Sequence, residues 1–153
     1  MQRIQMVQNY IDKVIENLPL EIDKKYGYMH LYGVSQACAM IAMKRNLDVE
    51  LATIAGLLHD IYSYKAYTTL DHAHKGAEMA KDIMQSLKVF NQKEIELVCH
   101  AIYVHSDKHL IHTPFDECLK DGDVLQHCLY NPLANPSRHE KERFEALKQE
   151  FCV

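Results

Sequence analysis

Apolar residues recur at helical spacing along nearly the whole chain, and little interrupts them: five glycines and four prolines punctuate 153 residues. Strand-like alternation is scarce, and the sequence carries no internal repeat or low-complexity tract. The pattern predicts long helices packed on one another rather than a sheet. A first helix is expected over about 2–17, with Ile4, Val7, Ile11, Val14 and Ile15 on one face and Pro19 closing it. A second runs from about Tyr28 to Arg45 with Val34, Ala37, Cys38 and Ile41 inward. Asp48 is placed to cap a third, over about 49–62. The Tyr- and Thr-rich stretch Tyr62–Leu70 reads as a loop, and Asp71 as the cap of a fourth helix over about 72–87. Asn91 caps a fifth, over about 92–106, and Thr113-Pro114 opens a sixth that reaches about Leu129. After the break at Asn131–Pro136, Ser137 opens a charged C-terminal helix over about 137–151, with Phe144 and Leu147 as its apolar contacts. The expectation is an all-α bundle of about seven helices forming a single domain across 1–153.

One apolar helix ends in an unusual way. The run LATIAGLL over 51–58 is followed at once by His59-Asp60, and Ile61 resumes the apolar character. A buried carboxylate costs several kcal/mol unless it is paired or bound to a cation. Other ionisable groups lie on inward stripes. His30 shares the face of Val34, Cys38 and Ile41, and His105 continues Ile95, Val98 and Ile102, whereas His100 joins Glu96, Tyr103 and Asp107 on a polar face. In DHAHKGAEMA, His74 adjoins the Ala73/Ala77/Ala80 face, with His72 as its competitor. In LKDGDVLQ, helical phase does not choose between Asp121 and Asp123; Gly122 between them lowers helix propensity by roughly 1 kcal/mol, which hints at a close approach. Taken singly, each has an ordinary reading as a core histidine, a helix-terminal histidine or a solvated acid. Taken together, His and Asp on five helices are more than a core tolerates unpaired, and helical bundles build metal sites from facing helices. Such ligands suit Fe, Mn, Co, Ni or Zn, with Mg as a further option; none of the cysteines falls in a ligand pattern.

A net charge of −4 argues against binding a nucleic-acid polymer. The five cysteines (Cys38, Cys99, Cys118, Cys128 and Cys152) are odd in number and contain no C-x-x-C pair, which suits a reduced intracellular protein. Met1–Tyr10 lacks the apolar segment of a signal peptide, and no apolar run approaches the roughly 20 residues of a membrane span. A cytoplasmic protein without membrane contact is expected, as monomer or homodimer according to where the Phe144/Leu147 face packs.

The order His30, His59-Asp60, Asp123 resembles the H…HD…D motif of the HD-domain phosphohydrolase superfamily. The supporting segments are HLYGVSQACAMIA, AGLLHDI, HKGAEMA, AIYVHSDK and LKDGDVLQ, so the resemblance covers about residues 26–130. It implies an all-α HD-type domain whose metal is held by His30, His59, Asp60 and Asp123; GDVL favours Asp123 over Asp121. Some members hold two metals bridged by the dyad aspartate, and by order and context His74 and His105 match the two extra ligands. The implied activity is metal-dependent hydrolysis of a phosphate ester or nucleotide-type small molecule by activated water. Asp60 would bridge the ions or orient the water. Lys65, Lys75 and Lys108 are candidate cations for the phosphoryl group. The rival functions are a di-iron oxygenase of the HD type and a non-catalytic module binding a nucleotide or a protein partner.

Overall fold

The computed structural model describes residues 2–152. Eight helices follow one another: α1 Arg3–Glu16, α2 Glu21–Arg45, α3 Val49–Leu58, α4 Ile61–Ala66, α5 His72–Leu87, α6 Gln92–Val104, α7 Pro114–Tyr130 and α8 Lys141–Phe151. The described residues contain no strand. No helix among them is long and apolar enough to cross a membrane.

Local chemistry sets most boundaries. The Asp48 carboxylate accepts from Leu51 N–H at 2.9 Å and starts α3. Asn91 and Glu94 form a reciprocal capping box on α6, and Thr113 and Asp116 do the same on α7, where Pro114 occupies the first turn. Asp71 does not cap α5: its backbone is left-handed (φ 57°), and its carboxylate pairs with His74 Nδ1 at 2.7 Å. Three other expectations shift. The second helix begins at Glu21, with Glu21 and Asp23 in its first turn, where acids favour the helix N-terminus. The third helix, expected over about 49–62, stops at Leu58, and residues 61–66, expected as its end and the start of the loop, form a separate α4, because Ile61 is fully buried and Tyr64 packs against the core. Burial there outweighs the low helix propensity of Tyr and Ser. Residues Ser137–Glu140 turn before α8 rather than opening it, with Lys141 N–H donating to Ser137 O at 3.1 Å.

The long α2 is the axis of the bundle, with α3 and α7 against it; α5 pairs with α6, and α1 covers α3. One core joins them: Val7, Ile11 and Ile15 from α1, Leu31, Val34, Cys38 and Ile41 from α2, Ile54 and Leu57 from α3, Met84 from α5, Ile102 from α6, Leu119 from α7 and Leu147 from α8. Two glycines let the helices flanking α2 touch its backbone. A Cβ at Gly56 would lie 2.6 Å from Ser35 Cα, and one at Gly122 would lie 3.2 Å from Cys38 N and 2.5 Å from Cys38 Sγ. Both are next to, or one turn from, residues of the dyad and the last aspartate, so the same contacts that close the core bring His59 and Asp123 to His30.

Candidate metal centre

The break between α3 and α4 puts His59 at the α3 C-cap and Asp60 at the α4 N-cap. His30 comes from the middle of α2, His72 from the first residue of α5, His105 from the α6 C-cap and Asp123 from α7. Their ligand atoms converge. Asp60 Oδ2 lies 3.4 Å from His30 Nε2 and 3.7 Å from His59 Nε2. Its other oxygen, Oδ1, lies 3.5 Å from His72 Nε2 and 3.4 Å from His105 Nε2. Asp123 Oδ1 is 3.8 Å from both His30 Nε2 and His59 Nε2.

Hydrogen bonds on the far side of each ring fix the tautomers. His59 Nδ1–H donates to Gly56 O at 2.8 Å, His105 Nδ1–H to Ile102 O at 2.6 Å, and His72 Nδ1–H to Thr69 O at 2.9 Å. His30 Nδ1–H donates to Gln126 Oε1 at 2.9 Å. In the neutral rings every Nε2 therefore carries a lone pair aimed at the carboxylates, the arrangement in which histidine binds metal. His30 Nε2 and His59 Nε2 stand 3.1 Å apart, two lone pairs facing each other unless a proton or a cation lies between them. Asp60 Oδ1 and Asp123 Oδ1 are buried without a hydrogen-bond partner. Buried acceptors left unmatched are costly, and a cation among them would satisfy lone pairs and orphaned oxygens at once. The donor set thus fits one or two divalent ions, with Asp60 facing both positions.

The electrostatics agree. Burial pushes the His59 imidazole down to about 4, which keeps it neutral. On His30 burial acts in the same sense, but Asp60 and Asp123 outweigh it and the ring titrates above its usual value. Burial opposes the charge on Asp60, yet His59, His105 and His30 hold the carboxyl well below the ordinary range. Asp123 is likewise held far down against burial, chiefly by Lys108, whose Nζ sits 2.5 Å from Oδ2.

Residues 59, 60, 30, 105 and 123 meet at this centre; three other expected residues do not. His74 points to Asp71 and stacks on Tyr103 with ring centroids 4.1 Å apart, outside the cluster. His72 takes its place, because residues two apart on a helix are about 200° apart around it and only one can face Asp60. The missed signal was Gly76, one turn after His72: a Cβ there would lie 3.1 Å from His59 O. Lys65 reaches Tyr10, 3.3 Å from its hydroxyl, since folding of α4 turns it toward α1. Lys75 lies over the Tyr62 ring at 5.5 Å. Both line a separate cavity with Glu78 and Asp82. Asp121 is engaged elsewhere, pairing with Arg45 at 2.8 Å and Arg143 at 2.9 Å. Sequence reasoning missed Ser106, whose hydroxyl is 3.2 Å from His72 Nε2. It also missed the role of His127, whose ring stacks on His30 at 5.2 Å.

Comparison with known proteins matches the HD domain family over residues 27–128, two thirds of the chain. The chain belongs to the HD-domain family. Its architecture is similar to a crystal structure described as a predicted HD superfamily hydrolase from an uncultured Thermotogales bacterium. The two superpose with a TM-score of 0.63 at 20% identity, covering 99% of this chain and 96% of that one. This likeness extends the shared fold beyond the HD match to α1 and α8.

Proposed function

We propose that this HD-domain protein is a metal-dependent phosphohydrolase acting on a small phosphate ester of the nucleotide type. In this reading His30, His59, Asp60 and Asp123 hold one ion, and Asp60, His72 and His105 hold a second. The observation that carries it is the division of Asp60, with one oxygen toward each histidine pair. Fe, Mn, Co, Ni and Zn suit such ligands, and Mg is a weaker match to four imidazoles. The chemistry a divalent ion supplies here is polarisation of a phosphoryl oxygen and a lowered pKa for water.

The chain's own residues do the rest. Carbonyls of Gly56, Ile102 and Thr69 and the Gln126 amide lock the rings, so no rotamer search accompanies binding. The Lys108 ammonium, held at Asp123, offers a cation to phosphoryl oxygens as their charge develops. Asp60 opens onto a cavity of about 640 Å³ lined by Tyr26, Ser63, Tyr64, Tyr67, Thr68 and Thr69. A second space of about 290 Å³ shares Tyr26, Asp60 and Tyr64 with it and adds Met29, His30, Gln126, His127 and Tyr130. The tyrosine faces suit stacking with a flat base, and the hydroxyls suit hydrogen bonds to a base or sugar. No Lys or Arg lines these two spaces among the described residues, so the organic half of the substrate enters here and its phosphoryl group meets the metal and Lys108.

The test is elemental analysis of protein purified without chelator, followed by phosphate release from nucleoside monophosphates, nucleoside polyphosphates and an aryl phosphate. Metal-dependent release is expected, lost in Asp60→Asn. A metal-loaded protein inert toward the whole panel that consumes oxygen would replace this reading with the oxygenase. A protein that takes up no metal yet is stabilised by a nucleotide would replace it with a binding module.

A further inference from the structure

The HD match ends at residue 128, yet the segment beyond it reaches back to the loop that borders the site. Arg143, on α8, grips the loop between α6 and α7. Its Nε–H donates to Lys108 O at 2.7 Å and an Nη2–H to Leu110 O at 3.1 Å. Its Nη1 pairs with Glu117 Oε2 at 2.7 Å and Asp121 Oδ1 at 2.9 Å. The grip has a second jaw: the fully buried Lys120 donates to the same Leu110 carbonyl at 2.9 Å and lies 3.1 Å from Glu117 Oε1. Glu117 Oε1 also accepts the His112 N–H at 3.0 Å. Every polar arm of Arg143 is therefore spent on the loop or on the α7 carboxylates that anchor it. That loop carries Ser106 to His72 and Lys108 to Asp123.

The turn before α8 touches the same region from another side. Glu140 accepts from His127 Nδ1–H at 2.9 Å and from Ser137 Oγ–H at 2.6 Å. A cavity of about 1000 Å³ between α7 and α8 has Lys108, Asp123, His127, Glu140 and Arg143 in its walls. The Lys108 side chain has about four rotatable bonds; Asp123 holds its ammonium, and the Arg143 fork fixes the backbone from which that ammonium reaches, so the two contacts together set where the charge sits.

We propose that Arg143 is a positioning residue for phosphoryl recognition: by clamping the Lys108 and Leu110 carbonyls it holds the Lys108 ammonium at the Asp123 edge of the metal centre, which makes α8 part of the working site. The inference rests on the phosphohydrolase reading and on Lys108 as its phosphoryl contact.

The experiment measures inorganic phosphate binding to the manganese-loaded full chain by calorimetry, together with bound manganese, helicity and KM and kcat on whichever panel substrate is turned over. The variants are Lys108→Ala, Arg143→Gln, Arg143→Lys and the double variants with Lys108→Ala. Arg143→Lys keeps the charge opposite Glu117 and Asp121 but cannot fork across two carbonyls, so it tests the clamp even if Arg143→Gln fails to fold. Arg143→Lys is expected to weaken phosphate binding and raise KM about tenfold with manganese content and helicity unchanged, and to add nothing in the Lys108→Ala background. Wild-type phosphate affinity in Arg143→Lys, or a full additional loss on top of Lys108→Ala, overturns the proposal. If Lys108→Ala itself binds phosphate as tightly as the wild type, Lys108 has no phosphoryl role and the proposal falls with it. Manganese loading that leaves every variant and the wild type unable to hydrolyse the panel overturns the hydrolase reading instead.

Discussion

Gly56→Ala isolates the contact on which the centre depends. The new Cβ would lie 2.6 Å from Ser35 Cα, 2.8 Å from Ser35 N and 3.0 Å from Val34 C, all backbone atoms of α2. Non-bonded carbons settle at about 3.5–4.0 Å, so α3 must retreat from α2 by about 1 Å. Alanine regains about 1 kcal/mol of helix propensity, while overpacking costs about 1–3 kcal/mol; the net loss of fold stability is at most about 2 kcal/mol. The effect on the site is larger. His59 follows Gly56 by one turn and is tied to its carbonyl at 2.8 Å, so it moves with α3 while His30 stays on α2. Their Nε2 atoms, now 3.1 Å apart, would separate to about 4 Å. With metal–nitrogen bonds of about 2.0–2.1 Å, two imidazoles that far apart can share an ion only in a nearly linear arrangement. Manganese or zinc affinity, measured by competition with a chromophoric chelator, should fall about 10–100-fold, the range of losses when supports of metal ligands are disturbed. Urea unfolding of the chelated protein should show only the small stability loss. Wild-type metal affinity in Gly56→Ala, with the helices shown to be intact by circular dichroism, would refute the claim that this glycine sets the His30–His59 separation.

Other expectations follow from the same geometry. His72→Ala should reduce bound metal, by one equivalent if two are present, whereas His74→Ala should leave metal content unchanged; equal losses in the two would restore His74 to the site. Glu117→Ala should cost about 3–5 kcal/mol in urea unfolding, because it removes the carboxylate that faces the buried Lys120 ammonium while Arg143 keeps Asp121; a loss below about 1 kcal/mol would show that the network is solvated. In metal-free protein the His59 imidazole titrates near 4 when folded and near 6.5 when unfolded. Between those values the unfolded chain holds the extra proton, so stability must fall as pH drops from about 6.5 to 4, by up to about 3 kcal/mol. His30, raised in the folded state, opposes part of that loss. Chelated protein that is as stable in urea at pH 4.5 as at pH 7 would contradict the neutral, buried state of His59.

The helical pattern was legible because it rests on local chemistry. Periodic apolar residues, few breakers and the caps at Asp48, Asn91 and Thr113 each act within one or two turns of chain. The dyad was legible for a related reason: His59 and Asp60 interrupt an apolar helix where no local benefit explains a carboxylate. Gly122 also announced the close approach to α2 that its missing Cβ permits. What the residues alone left open were choices between neighbours. His72 or His74, Asp121 or Asp123, and which lysine faces the site depend on the rotation of one helix against another. That rotation is set by contacts between residues far apart in sequence, such as Gly76 on His59 O and Asp121 between Arg45 and Arg143. Helix α4 formed where composition reads as loop because burial of Ile61 exceeds the propensities of its neighbours. The sequence by itself determined an all-α chain carrying a His/Asp set suited to a metal. Only the tertiary structure decided which histidine pair each oxygen of Asp60 faces, and that the last helix reaches back to the loop bearing Lys108, because those relations arise from packing across the bundle.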